Sequence, residues 1–67
     1  MKRLMRLALD EHELAALMFH APITMEMLDP HYDGVSNDGF SVYHVSYHMH
    51  CVVTATLDLL EQTGRFK

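Results

Sequence analysis

A single cysteine, Cys51, excludes an intrachain disulfide and any CxxC pair, so the covalent and paired-thiolate devices that hold many small chains together are missing. Basic residues are scarce as well. Five lysines and arginines stand against nine acidic side chains, for a net charge of −4, which argues against a general nucleic-acid binder because phosphate contacts need a basic face. The basic residues are confined to the two ends, Lys2, Arg3 and Arg6 and then Arg65 and Lys67. No apolar run approaches the ~18 residues of a membrane span. Asp10, Glu11, His12 and Glu13 cut the N-terminal leucines before they reach signal-peptide form. A free thiol without an export signal leads us to expect a reducing, cytoplasmic setting. Internal repeats, low-complexity tracts and a glycine-rich phosphate loop are also missing.

Hydrophobic side chains, by contrast, make up 49% of the 67 residues, too large a share for a disordered chain. Below roughly 70–80 residues a lone core seldom supplies more than ~3–5 kcal/mol. One small domain is therefore expected, with self-association covering what one chain cannot. Six histidines would move the net charge from −4 to +2 if all were protonated, so acidic pH should matter to this chain.

Spacing points to helices. Val42, Val45, Met49, Val52, Thr56 and Leu59 recur at steps of three and four, with Val53 and Leu60 widening the stripe, the pattern of a core-facing helix over residues 41–63. Ser41 fits its N-cap and Gly64 its C-terminal stop. The β-branched residues Val42, Val45, Val52, Val53, Thr54 and Thr56 favour strand instead, and a strand over residues 40–50 followed by a shorter helix is the competing reading. Residues 2–21 are good helix formers, with Met1, Leu4, Leu7, Leu14, Leu17, Met18 and Ala21 on one face. Here too there is a competitor: Asp10 and Glu13 have the form of a capping box, which would start a helix at Asp10 and leave residues 3–9 as a short strand. Pro22 ends or bends the first helix. Residues 29–40, with Pro30, Gly34, Gly39 and several Asp and Asn, read as a loop partly ordered by Tyr32, Val35 or Phe40. We take the helical reading at both places. The expectation is an all-α helical hairpin of two long amphipathic helices, the first kinked near Pro22, packed as a dimeric four-helix arrangement.

Several constellations bear on function. On a continuous helix His44, His48 and Cys51 would share one stripe at i, i+4 and i+7, with zinc-type ligand chemistry and His12 or His20 available as a fourth ligand. No specific zinc spacing accompanies them, and the simpler reading packs the histidines at an interface edge and Cys51 as a small apolar group. Methionines beside His48-Met49-His50-Cys51 suggest a soft metal only weakly, because methionine commonly fills irregular cores. Cys51 near a histidine lacks the third group and oxyanion donors that nucleophilic catalysis requires, so no enzyme is expected. The loop fails as a calcium site: counted from Asp29, Gly34 falls correctly at the sixth position, but Phe40 stands where a glutamate is needed. Tyr43, Tyr47 and His50 fall on the outer face of the expected second helix, where tyrosines suit a protein interface. Val42, Val45, Met49, Val52 and Leu59 form the expected core or dimer seam. The expectation for function is a small non-enzymatic regulator or inhibitor that binds another protein through a helical surface, as a homodimer and without a cofactor. The rival is a zinc-type module using His44, His48 and Cys51.

Overall fold

The structure, a computed structural model, describes residues 3–66, so the expectations attached to Met1, Lys2 and Lys67 lie outside it. The chain runs β1 (Met5–Leu9), α1 (Glu11–His20), α2 (Pro22–Leu28), a short 3-10 turn (Asp29–His31), β2 (Tyr32–Val35), β3 (Ser41–Val45) and α3 (Tyr47–Gln62). The three strands form one antiparallel sheet in the order β1-β3-β2. This corrects the all-α helical hairpin: the fold is mixed α/β, and the expected four-helix packing of two hairpins has no basis in it.

Both corrections arise where short strands precede helices. Asp10 closes β1 because its carboxylate accepts from the Glu13 amide at 2.8 Å while Glu13 Oε1 accepts from the Asp10 amide at 2.9 Å. This reciprocal capping box starts α1 at Glu11 and stops any helix from running back through Leu9. Ser46 does the same after β3, its Oγ accepting from the Met49 amide at 3.1 Å. The N-cap of the last helix is thus Ser46, five residues beyond the expected Ser41, which instead begins a strand. Asp10→Ala is expected to lower stability by about 1 kcal/mol, the usual cost of losing an N-cap, as a fall in urea midpoint with unchanged slope.

The sheet turns one face to the helices. Met5, Leu7 and Leu9 pair with Val45, Tyr43 and Ser41, while Arg6 and Ala8 pair with His44 and Val42 on the opposite face. Leu7, Leu9, Tyr43 and Val45 join Leu17 of α1, Leu28 of α2 and Val53 and Leu57 of α3 in the core, with Met49 packed against it. Val42 and Val45 therefore do not share a seam: three residues apart they would share a helix stripe, but on a strand they face opposite sides. On α3 the buried residues are Val53, Leu57 and Leu60. Val52 is only half-buried and Leu59 is 58% exposed, so the burying face is turned by one residue from the expected stripe.

The break at Pro22 falls where its chemistry requires. α1 ends at His20, Ala21 leaves helical geometry and Pro22 begins α2, its missing amide harmless in the first turn. At the other end Gly64 adopts φ 76°. The Arg65 amide reaches back to the Leu60 carbonyl at 2.8 Å and the Gly64 amide to that of Glu61 at 3.1 Å, a glycine-dependent helix stop.

Candidate functional site

The residues singled out in the sequence are dispersed by the strand at Ser41–Val45. Tyr43 is 3% exposed, packed in the core and tilted against Tyr32 at 5.5 Å between ring centroids. It is not available to a partner, contrary to expectation. Burial, reinforced by the negative charge of Asp29 and then by Tyr32, pushes the Tyr43 phenol above its ordinary value. Tyr47 opens α3 and is 70% exposed. Its phenol is also held above the ordinary value, chiefly by the neighbouring Cys51 side chain one turn on. His50 is half-buried, and its carbonyl accepts from Thr54 Oγ1 at 2.9 Å.

The His44, His48 and Cys51 line depended on one continuous helix. His44 lies on β3, on the sheet face away from the core, with Nδ1 3.0 Å from Asp33 Oδ2. His48 and Cys51 lie on α3, beyond the Ser46 cap. Among the described residues, no group of three His, Cys, Asp or Glu side chains stands close enough to hold a metal ion. Both partners of the His44–Asp33 pair are solvent-exposed, so it contributes little to stability.

Exposed apolar side chains occur elsewhere, on α1 and α2, three of them within the six residues that span the bend. Phe19 is 81% exposed, Ile23 73%, Met18 63% and Met27 44%. The two helices are too short to bury two faces. α1 places only Ala16 and Leu17 in the interior and α2 only Leu28, and the remaining apolar positions are left on the solvent side. Phe19 and Ile23, four residues apart, fall on successive turns either side of the bend. Ala15, Met18 and Phe19 line one recess. A second, of ≈ 360 Å³, lies between His12, Ala16 and Phe19 on α1 and Arg65 and Phe66 after α3. Ala15 and Phe19 line both, the Phe19 ring edge-on to that of His20 at 4.8 Å. The signal for this corner was present in the sequence: Met18-Phe19 followed by Ile23 exceeds what a stripe passing through Leu14, Leu17 and Ala21 can bury.

Among the described residues, no helix is long and apolar enough to cross a membrane. No protein-family model, no curated protein and no solved structure matches the chain.

Proposed function

We propose that the chain is a small non-enzymatic regulator or inhibitor that works as a homodimer and binds another protein through the helical corner between α1 and α2. The observation that supports this reading most is the exposure of Phe19, Ile23 and Met18 at 81%, 73% and 63% within one bend. Single exposed apolar residues are ordinary, but large ones grouped together, an aromatic among them, are what partner proteins cover. The polar edge that such an interface needs is available from His12, His20 and Arg65. An aromatic anchor on a short, capped helix is held with little flexibility, which lowers the ordering cost of binding.

A photo-crosslinking residue in place of Phe19, used in cells that naturally make the protein, is expected to yield one adduct of fixed mass that disappears when Ile23→Asp is added. Adduct formation no greater than that from the same group at Glu61, an exposed α3 position, would contradict the assignment. Both substitutions are at exposed sites, so each should alter stability by no more than ~0.5 kcal/mol.

A further inference from the structure

The sheet has two edges, and they differ. β2 forms one. It has four residues, includes Asp33 and Gly34, and breaks register against β3 between Tyr32 and Val35. Short length, a charge and an irregularity are the means by which an edge avoids pairing with another chain. β1 forms the other. Its five residues, Met-Arg-Leu-Ala-Leu, pair with β3 without a break, include no proline or glycine and carry one charge, Arg6. Among the described residues nothing pairs with its outer side. An edge of this kind is a template for another strand.

We propose that β1 is the seam of the homodimer, two copies pairing β1 with β1 antiparallel so that their sheets become continuous. This rests on the self-association in the reading above and leaves the α1–α2 corner free. A second copy is the occupant because β1 is complementary to itself in one register. Leu7 and Leu9 are 5% and 2% exposed, whereas Arg6 is exposed and Ala8 half-buried. The β1–β3 ladder ends at Leu9–Ser41, and the Asp10 amide and Phe40 carbonyl that would flank a non-hydrogen-bonded pair there are engaged with Glu13 and Ser36. Met5, Leu7 and Leu9 therefore turn their N–H and C=O to β3, and alternation leaves Arg6 and Ala8 as the outward pair. Keeping the helices of both copies on one side of the joined sheet sets core-facing residues opposite core-facing ones, and three registers near the strand centre satisfy that.

Centring on Arg6 would oppose two like charges. Centring on Ala8 would set Arg6 against Asp10, whose amide already donates to Glu13 Oε1 at 2.9 Å and whose carbonyl already accepts from the Leu14 amide at 3.0 Å. Centring on Leu7 avoids the first defect and moves the second to Leu4, which lies outside the strand. Arg6 then faces Ala8 of the second copy at both ends, each pair exchanging two N–H···O bonds, and all of Met5–Leu9 is paired. The same register sets Arg3 opposite Glu11 of the second copy, twice. Both residues are exposed, and their charges are opposite. Apolar cover at these ends is available from Leu4 and Tyr47, 58% and 70% exposed, the latter lining a recess with Arg3 and His48.

Sedimentation equilibrium of the full chain tests the seam, with circular dichroism as the check on folding. Ala8→Pro removes an outward amide that β3 does not use, a place where an edge strand tolerates proline. It is expected to retain the spectrum and to raise the dimer Kd about a hundredfold, through two lost hydrogen bonds whose partners stay desolvated. Arg3→Glu is expected to weaken the dimer about two- to fivefold, and adding Glu11→Arg to restore it. Phe19→Asp should leave the dimer unchanged. A dimer that survives Ala8→Pro but is lost with Phe19→Asp would overturn the seam while self-association stands. A wild-type chain that remains monomeric at millimolar concentration would overturn both. If Ala8→Pro fails to fold, the charge reversal decides: an unchanged Kd with Arg3→Glu would overturn the register.

Discussion

Leu17→Ala is expected to unfold most of the population at 25 °C. Leu17 is 0% exposed and is the one fully buried side chain that α1 contributes to the core. Truncating a buried leucine costs about 2–5 kcal/mol, from lost apolar transfer and the cavity left behind. A core of this size supplies only about 3–5 kcal/mol. The loss is therefore comparable to the whole, and urea denaturation followed by circular dichroism should show little or no native baseline. Two residues further on, Phe19→Ala removes a larger side chain, but one that is 81% exposed. It should shift the midpoint by no more than the equivalent of ~0.5 kcal/mol. The contrast tests which side of α1 meets the sheet. Equal damage from both substitutions would mean that Phe19 is not at the surface, and the proposed binding corner would lose its basis.

Tyr43 carries the second large effect. At 3% exposed on the central strand, with its ring in the core, Tyr43→Ala should cost about 3–5 kcal/mol and likewise leave little folded protein. Tyr43→Phe keeps the ring and should fold. The difference between wild type and Tyr43→Phe lies in alkaline solution. Burial chiefly, then Asp29 and Tyr32, raise the folded phenol above the ordinary value of 10.0. Between the unfolded and folded values the native state holds a proton that the unfolded chain has released, so stability falls as pH rises. This contribution is fully present below about pH 10 and is lost as the pH climbs through the folded value. Melting temperatures of the wild type should decline more steeply above pH 10 than those of Tyr43→Phe. Parallel curves would contradict the raised value of the Tyr43 phenol.

The same residue shows why part of the fold was hidden in the sequence. Val42, Val45 and Met49 recur at helical steps, but the first two belong to β3 and the third to α3. Five strand residues are too few for alternation to stand out from a helical period. The phase set by the two valines was then carried into α3, and the burying face was centred on Val52 and Leu59 with Val53 and Leu60 only widening it, when it runs through Val53, Leu57 and Leu60. The β-branched character of Val42 and Val45 was the better guide. At the N-terminus the informative signal was chemical: Asp10 and Glu13 spell a capping box, while leucine, methionine and alanine in β1 favour helix by propensity. Tertiary pairing with β3 overrides that preference.

Signals that depend on backbone chemistry were legible. Pro22 separates α1 from α2, and Gly64 ends α3. The segment 29–40 is a loop only in part. Tyr32–Val35 forms β2, a strand that neither alternation nor β-propensity announces in Tyr-Asp-Gly-Val. Its attachment is tertiary, through pairing with β3 and the Tyr32 ring against Tyr43.

The candidate site was less legible than the fold. His44, His48 and Cys51 formed a line only on a helix that Ser46 interrupts, and Tyr43 moved from an outer face to the core for the same reason. Tyr47 alone of the three proposed contact residues is exposed, and it flanks the β1 edge. The surplus of apolar residues at Met18, Phe19 and Ile23 was legible, but which of them stay exposed depends on how little of each short helix the three-stranded sheet covers.

We propose a division of labour between β1 and the corner, in which the open strand edge serves a second copy and Phe19 and Ile23 serve another protein. The most direct test is an isotope-filtered nuclear Overhauser experiment on a sample mixing labelled and unlabelled chains. In the register centred on Leu7, the two Leu7 residues form a non-hydrogen-bonded antiparallel pair with Cα atoms about 4.5 Å apart. A strong intermolecular contact between their Hα protons is the predicted result. Intermolecular contacts confined to Phe19, Ile23 and Met18, with none from β1, would contradict it.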